Sequence, residues 1–395
     1  MNNSENKTQW RNWMAVCMLA MASFIVVSTE LAPIGMLSAI ASSMGQNSGT
    51  TTGLVVTLYA WLGAVSALVS VTTFSHLPRK PVVIVLMLLM AASNGIAAMS
   101  EHFSVLLIAR LAGAAAHGAF WAMAGTMGAQ LVSDKYTGRA TAIIFSGVSI
   151  ASILGVPFIN WISSTIGWRL SFLLLGVLAI ITAIILAFTL PAVSGTSRMG
   201  RKQFSAVLQI KQLRQVYLIA TAAIIAHFAA FTYIEVFMAE EMAISANWIA
   251  VCLFVFGIAG VAGNLLCGLF IDRYLKNILG AGLVLICGSL ILLSAVLSHN
   301  PIMLMVLVFA WGLGVAILFV GIQAWVIRLA GNDNALPASA IYAAIFNGAV
   351  GIGAIIGAGI IDFGNMKILY LIASLITLFS LLQLLISKTM HKPAQ

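Results

Sequence analysis

Glu30, Arg110, His117, His227 and Glu235 are ionisable side chains set within long apolar runs. A carboxyl or an imidazole can take up and release a proton, and a guanidinium can hold a carboxylate or a row of carbonyl oxygens. Charge is expensive in hydrocarbon, so residues of this kind mark a proton relay, a transport path or a polar ligand site. Glu30 is the first choice for a proton carrier. Its neighbours Val26, Val27, Leu31 and Ala32 are apolar, so a proton on the carboxyl spares the cost of burying a charge. His117 is its natural partner, because an ionised Glu30 and a protonated His117 would stabilise each other. A satisfied buried hydrogen bond without a transport role is the alternative. His227 and Glu235 lie eight residues apart, which predicts one shared helix face with Phe231 between them. That face suits the hydroxyls of a polar ligand, a second proton site or a tie between two helices. Arg110 reads as a snorkelling cation, a partner for an acid, or a group that shapes the proton path.

The elements that must position these groups are membrane helices. The chain has 395 residues, of which 62% are hydrophobic and 7% charged. Twelve apolar runs recur, near 13–36, 53–75, 81–99, 103–132, 139–163, 168–190, 215–239, 247–271, 278–297, 301–328, 336–361 and 367–387. Each is long enough to cross a core of about 30 Å as a helix. They are too long and continuous for barrel strands. With the N-terminus inside, the outer loops hold only Arg169 and Lys367 among the basic residues. Both termini are therefore expected in the cytoplasm. The net charge of +9 reflects that topology and contact with anionic lipid, which argues against nucleic acid as a partner. Trp10, Trp13, Trp161, Trp168, Trp248 and Trp325 fall near span ends and read as interface anchors, whereas Trp61, Trp121 and Trp311 fall inside spans. Cys17, Cys252, Cys267 and Cys287 have no metal-ligand spacing and read as packing residues.

Residues 191–214 break the rhythm with five basic residues and no acid. The expected organisation is an N-terminal six-helix bundle over 1–190, a cytoplasmic basic linker over 191–214 and a C-terminal six-helix bundle over 215–395. Phe204, Val207, Leu208 and Leu213 allow part of the linker to be an interfacial helix; a simple charged tether is the other reading. The halves echo each other. Glu30 in STELAP and Glu235 in YIEVFM are 205 residues apart. The loop SHLPRK is followed at a similar offset by GLFIDRYLK. A duplicated unit with a substrate site between its copies is a known transporter plan. The run GAVGIGAIIGAG at 348–359 lies inside a span with no strand before it, so a dinucleotide site is not expected.

On these words the chain resembles the major facilitator superfamily, and more narrowly its twelve-span drug:proton antiporter group. The family loop motif G-x-L-x-D-R-x-G-R-[RK] is matched after span eight by Gly268, Phe270, Asp272, Arg273 and Lys276. After span two it is degenerate, with Ser75, His76 and Pro78 at three positions while Arg79 and Lys80 remain. RLAGAAAHG carries Arg110 and Gly113, and GVSIASILGVPF resembles the antiporter motif through Gly147, Gly155 and Pro157. Within the group the chain is most similar to bacterial sugar efflux transporters. The matching residues are Thr29, Glu30, Pro33, Gly35, Leu37, Tyr59, Trp61, His117, Phe120, Trp121, His227, Tyr233, Glu235, Phe237, Asn347 and Gly351. Purine nucleoside efflux pumps share part of this set.

The resemblance implies proton-coupled efflux of small sugars by alternating access in a bacterial inner membrane, by a monomer. A multidrug or nucleoside exporter of the same fold is the alternative. Glu30, His117 and Arg110 would couple to protons. Tyr59, Trp61, Trp121, His227, Phe231, Tyr233, Glu235, Trp311 and Asn347 would bind substrate. Asp272, Arg273, Arg79, Gly155 and Pro157 would take part in gating. The proton is the only coupling ion expected; no metal, cofactor, nucleotide or catalytic nucleophile is implied, and enzymatic activity is not expected.

Overall fold

Twelve helices among the described residues are long and apolar enough to cross a bilayer. The computed structural model describes residues 3–387 apart from 47–48, 75, 134–135, 196–199, 296–299 and 364–365. No strand occurs among them. The spans, numbered one to twelve, are Gln9–Gly35, Gly53–Phe74, Arg79–Met99, Phe103–Trp121, Ile143–Thr165, Trp168–Thr189, Lys211–Phe231, Ala246–Ile271, Arg273–Ala295, Pro301–Gly331, Pro337–Asp362 and Met366–Ile386. This is an all-α integral membrane fold, the solution expected where each segment must satisfy its own backbone. Many large apolar side chains point outward, Phe188 and Leu269 among them. Such a surface would be a liability in water and is the natural belt of a bundle in lipid.

The chain divides into two compact units. The first comprises Met1–Ala39 and Leu58–Met199, the second Ile40–Thr57 and Gly200–Gln395. Inside each, glycines let helices approach backbone to backbone. A Cβ on Gly147 of span five would collide with the Ala20 carbonyl and Phe24 amide of span one. A Cβ on Gly353 of span eleven would collide with the Ile225 carbonyl and Ala229 amide of span seven. These positions are 205 or 206 residues from their counterparts, so the repeat read from Glu30 and Glu235 is also a repeat of packing.

Helix ends explain where the basic residues go. The last carbonyls of a helix lack intrahelical donors and form the negative end of its dipole. Lys276 Nζ donates to the carbonyls of Leu385 and Ser387 at 3.0 and 3.1 Å, closing span twelve. Arg328 donates to the Ile271 carbonyl at 3.2 Å, at the end of span eight. Arg11 donates to Thr189 at 3.2 Å, at the end of span six. Spans eight and nine run together through a kink at Tyr274 (φ −129, ψ 36). Spans ten and eleven meet at Gly331, whose φ of 69° with ψ 173° favours a residue without a Cβ. Span ten begins at Pro301, after Asn300 accepts the Ile302 amide at 2.9 Å.

Four expectations are corrected. Span seven ends at Phe231 rather than near 239, because the chain turns at Thr232–Tyr233 before a short helix Ile234–Val236 and a π-helical turn Phe237–Glu241. His227 and Glu235 therefore do not ride one continuous helix face. Trp168 and Trp325 are buried, not interface anchors. Trp168 packs under the Arg169 guanidinium at 4.4 Å and against the edge of Phe172. Cys17 is exposed, while Cys252, Cys267 and Cys287 are buried.

Candidate functional site

Pro33 breaks the end of span one. Proline has no N–H, so the Thr29 carbonyl loses the donor four residues ahead. The chain tightens into a 3-10 turn over Ala32–Gly35. Arg110, only 1% exposed, supplies the missing donors from span four. Its guanidinium reaches the Thr29 carbonyl at 2.6 Å and the Glu30 carbonyl at 3.3 Å. Asn94 of span three donates to the Thr29 hydroxyl at 3.0 Å, and Asn160 of span five to the Gly35 carbonyl at 2.7 Å. A cation against exposed helix carbonyls is electrostatically matched. Arg110 therefore does not snorkel. Asn94 and Asn160 were not singled out from the sequence; an amide in an apolar run was the available signal.

This anchoring places Glu30 beside His117. The carboxylate and His117 Nε2 are 3.8 Å apart, close enough for an ion pair when the ring is protonated and longer than a direct hydrogen bond. The His117 side chain is 3% exposed and that of Glu30 16%, so the carboxylate is the more accessible of the two. Tyr59 completes the group. The Arg110 guanidinium lies 4.0 Å from its ring centroid, and the His117 ring meets it edge-on at 5.5 Å. With Arg110 cationic, an ionised Glu30 and a neutral His117 make the trio neutral. One added proton leaves it at +1 within the low-dielectric bundle. Trp121, one turn beyond His117, meets that ring edge-on at 6.4 Å. Tyr59 thus lies with the coupling candidates, while Trp61 on the same span is exposed.

The second unit has a different centre. His227 is stacked on Phe231 at 5.0 Å and on Phe256 at 6.1 Å. Trp311, Phe228 and Phe319 meet it edge-on. His227 and Trp311 are buried, and neither His227 Nδ1 nor Trp311 Nε1 has a hydrogen-bond partner. Buried polar atoms in that condition call for an explanation such as a ligand or a switch. Phe228, Phe256 and Phe319 were not singled out from sequence; aromatic spacing alone does not separate a site from packing. Tyr233 is a strut: its hydroxyl donates to the Ala354 carbonyl at 2.8 Å, and its ring fills the space left by Gly357. Glu235 is buried beyond the break in span seven. Asn347 donates to Ala343 of its own helix at 3.0 Å, leaving its Oδ1 without a partner.

The gating candidates separate. Residues Ala151–Gly155 form a π-helical turn ahead of Pro157, whose missing N–H and ring disfavour a regular α-turn there. Gly155 leaves room for Ser28 of span one. Arg79 is buried, and its amide bonds the Val193 carbonyl at 2.8 Å. Arg273 is exposed, 5.5 Å from the Tyr274 ring centroid. The Asp272 side chain and all of Ser75 lie outside the described residues.

The family model of the Major Facilitator Superfamily matches residues 13–274 and again 216–395. Three solved structures share the fold. A mutant of the nucleoside transporter NupG is 14% identical with a TM-score of 0.74, over 94% of this chain and 98% of that one. A bacterial homologue of the human lysosomal transporter Spinster, inward-facing and occupied, is 14% identical with a TM-score of 0.70, over 95% and 96%. The human organic anion transporter MFSD10 (TETRAN) is 15% identical with a TM-score of 0.67, over 95% and 99%.

Proposed function

We propose a specific activity for this chain, which belongs to the major facilitator superfamily: proton-coupled efflux of small sugars or sugar-like molecules. It is a multi-pass membrane transporter with twelve spans. In our reading transport proceeds by alternating access, with two six-helix halves joined by the basic linker at 191–214. In this reading the protein works as a monomer in a bacterial inner membrane, and the distribution of Lys and Arg supports a cytoplasmic position for both termini.

The observation that carries the reading is the approach of Glu30 to His117, 3.8 Å apart, beside the buried Arg110. Such a trio changes its net charge by one with each proton, and in hydrocarbon that change is costly enough to bias a conformational equilibrium. Proton uptake from outside neutralises Glu30 or charges His117. Either weakens the state that favours cytoplasmic substrate, and inward proton flow drives outward substrate flow. On the substrate side, His227 and Asn347 offer polar atoms to hydroxyls, and Phe231, Trp121 and Trp311 offer apolar faces to the C–H surfaces of a sugar ring. Trp61, Tyr233 and Glu235 extend that set. Asp272, Arg273, Arg79, Gly155 and Pro157 act in gating.

A nucleoside exporter is the second reading, favoured by the stacked rings around His227, which suit a flat base. Inside-out vesicles with an acidic lumen decide between them. Adding arabinose, a thiogalactoside, inosine and a cationic dye in turn, the sugar reading expects proton release with a sugar. Release with inosine or the dye alone overturns it.

A further inference from the structure

We propose that the linker helix and the start of span seven form a docking surface for anionic phospholipid headgroups. Residues Arg201–Gln209 are helical, and a single extended residue, Ile210 (φ −73, ψ 107), separates them from span seven at Lys211. The helix therefore lies level with that end of the span, where headgroups begin. Its apolar arc contains Phe204, Val207 and Leu208. Val207 is fully buried within the second unit, as is Leu213 just beyond. Phe204 is partly buried, and Leu208 is left 48% exposed. The arc is wider than the seat it occupies, and its free edge is apolar. Lys202, Lys211 and Arg214 around it are all exposed. No acid occurs anywhere in 191–214 to neutralise them. An apolar edge among exposed cations that have no acid in their own segment, fixed at the end of a membrane span, fits the acyl–headgroup boundary of an anionic leaflet.

The helix is seated on the second unit, so headgroups bound here hold one margin of that unit at the membrane surface. This is independent of which solute is carried.

The test is lipid titration of the full-length protein in a neutral detergent, read by native mass spectrometry. Phosphatidylglycerol is compared with phosphatidylcholine and with free glycerol phosphate. The wild type is expected to bind phosphatidylglycerol preferentially. The variants Lys202→Gln, Lys211→Gln and Arg214→Gln are each expected to weaken that binding about fivefold. Leu208→Ser is expected to weaken both phospholipids. Lys276→Gln, at a cation already committed to the end of span twelve, serves as the control that keeps the preference. Unchanged preference in the combined triple variant overturns the proposal. So does binding of glycerol phosphate as tight as that of the lipid, which would make the site one for free phosphate esters.

Discussion

At the scale of single residues, the site rests on a missing hydrogen rather than on a strong pair. Pro33 deprives the Thr29 carbonyl of its helical donor, and Arg110 replaces it while also reaching the Glu30 carbonyl. The position of the Glu30 side chain is thus set through its own backbone. A lysine in place of Arg110 keeps the charge but loses the planar fork that addresses two carbonyls. We predict that Arg110→Lys lowers stability by about 1.5–3 kcal/mol, the usual worth of hydrogen bonds to a charged group. Thermal unfolding of the purified protein checks this. Unchanged stability would show that the carbonyls find other donors. The residue types here were legible in the sequence: Glu30, His117 and Arg110 stood out as ionisable groups in apolar runs. Their partners were not. Asn94 and Asn160 carry no charge, and the role of Tyr59 depends on which face of span two meets span four, which hydropathy does not encode.

At the scale of helices, close packing is set by glycines and by where helices are allowed to break. Gly353 touches the backbone of span seven, so any side chain there must push two helices apart. Gly260 faces open space. We predict that Gly353→Val destabilises by about 1–3 kcal/mol through overpacking. Gly260→Ala is expected to be neutral or to gain up to about 1 kcal/mol from helix propensity. Unfolding midpoints of the two variants, compared side by side, test the assignment; equal effects would contradict it. The number and limits of the spans were readable from apolar run length, because a bilayer imposes one length on every helix. The end of span seven was not, since neither proline nor glycine marks Thr232–Tyr233. Burial of Trp168 and Trp325 was equally hidden: a tryptophan near a span end can face lipid headgroups or a neighbouring helix with the same sequence neighbours.

At the scale of the molecule, the two units repeat a packing plan but differ in chemistry. The first concentrates Glu30, His117, Arg110 and Tyr59, and the second concentrates rings around His227. That asymmetry supports a division of labour in which one half handles protons and the other much of the substrate contact. The duplication was visible in the sequence as a repeated offset; the asymmetry emerged only when side chains distant in sequence met. The central claim is that Glu30 carries the coupling. Reconstituted wild type and Glu30→Gln should be compared in two assays with the sugar that releases protons: accumulation driven by a pH gradient, and exchange of labelled for unlabelled sugar without one. The account predicts that the variant loses gradient-driven accumulation and keeps exchange. Accumulation by Glu30→Gln at the wild-type level would contradict it.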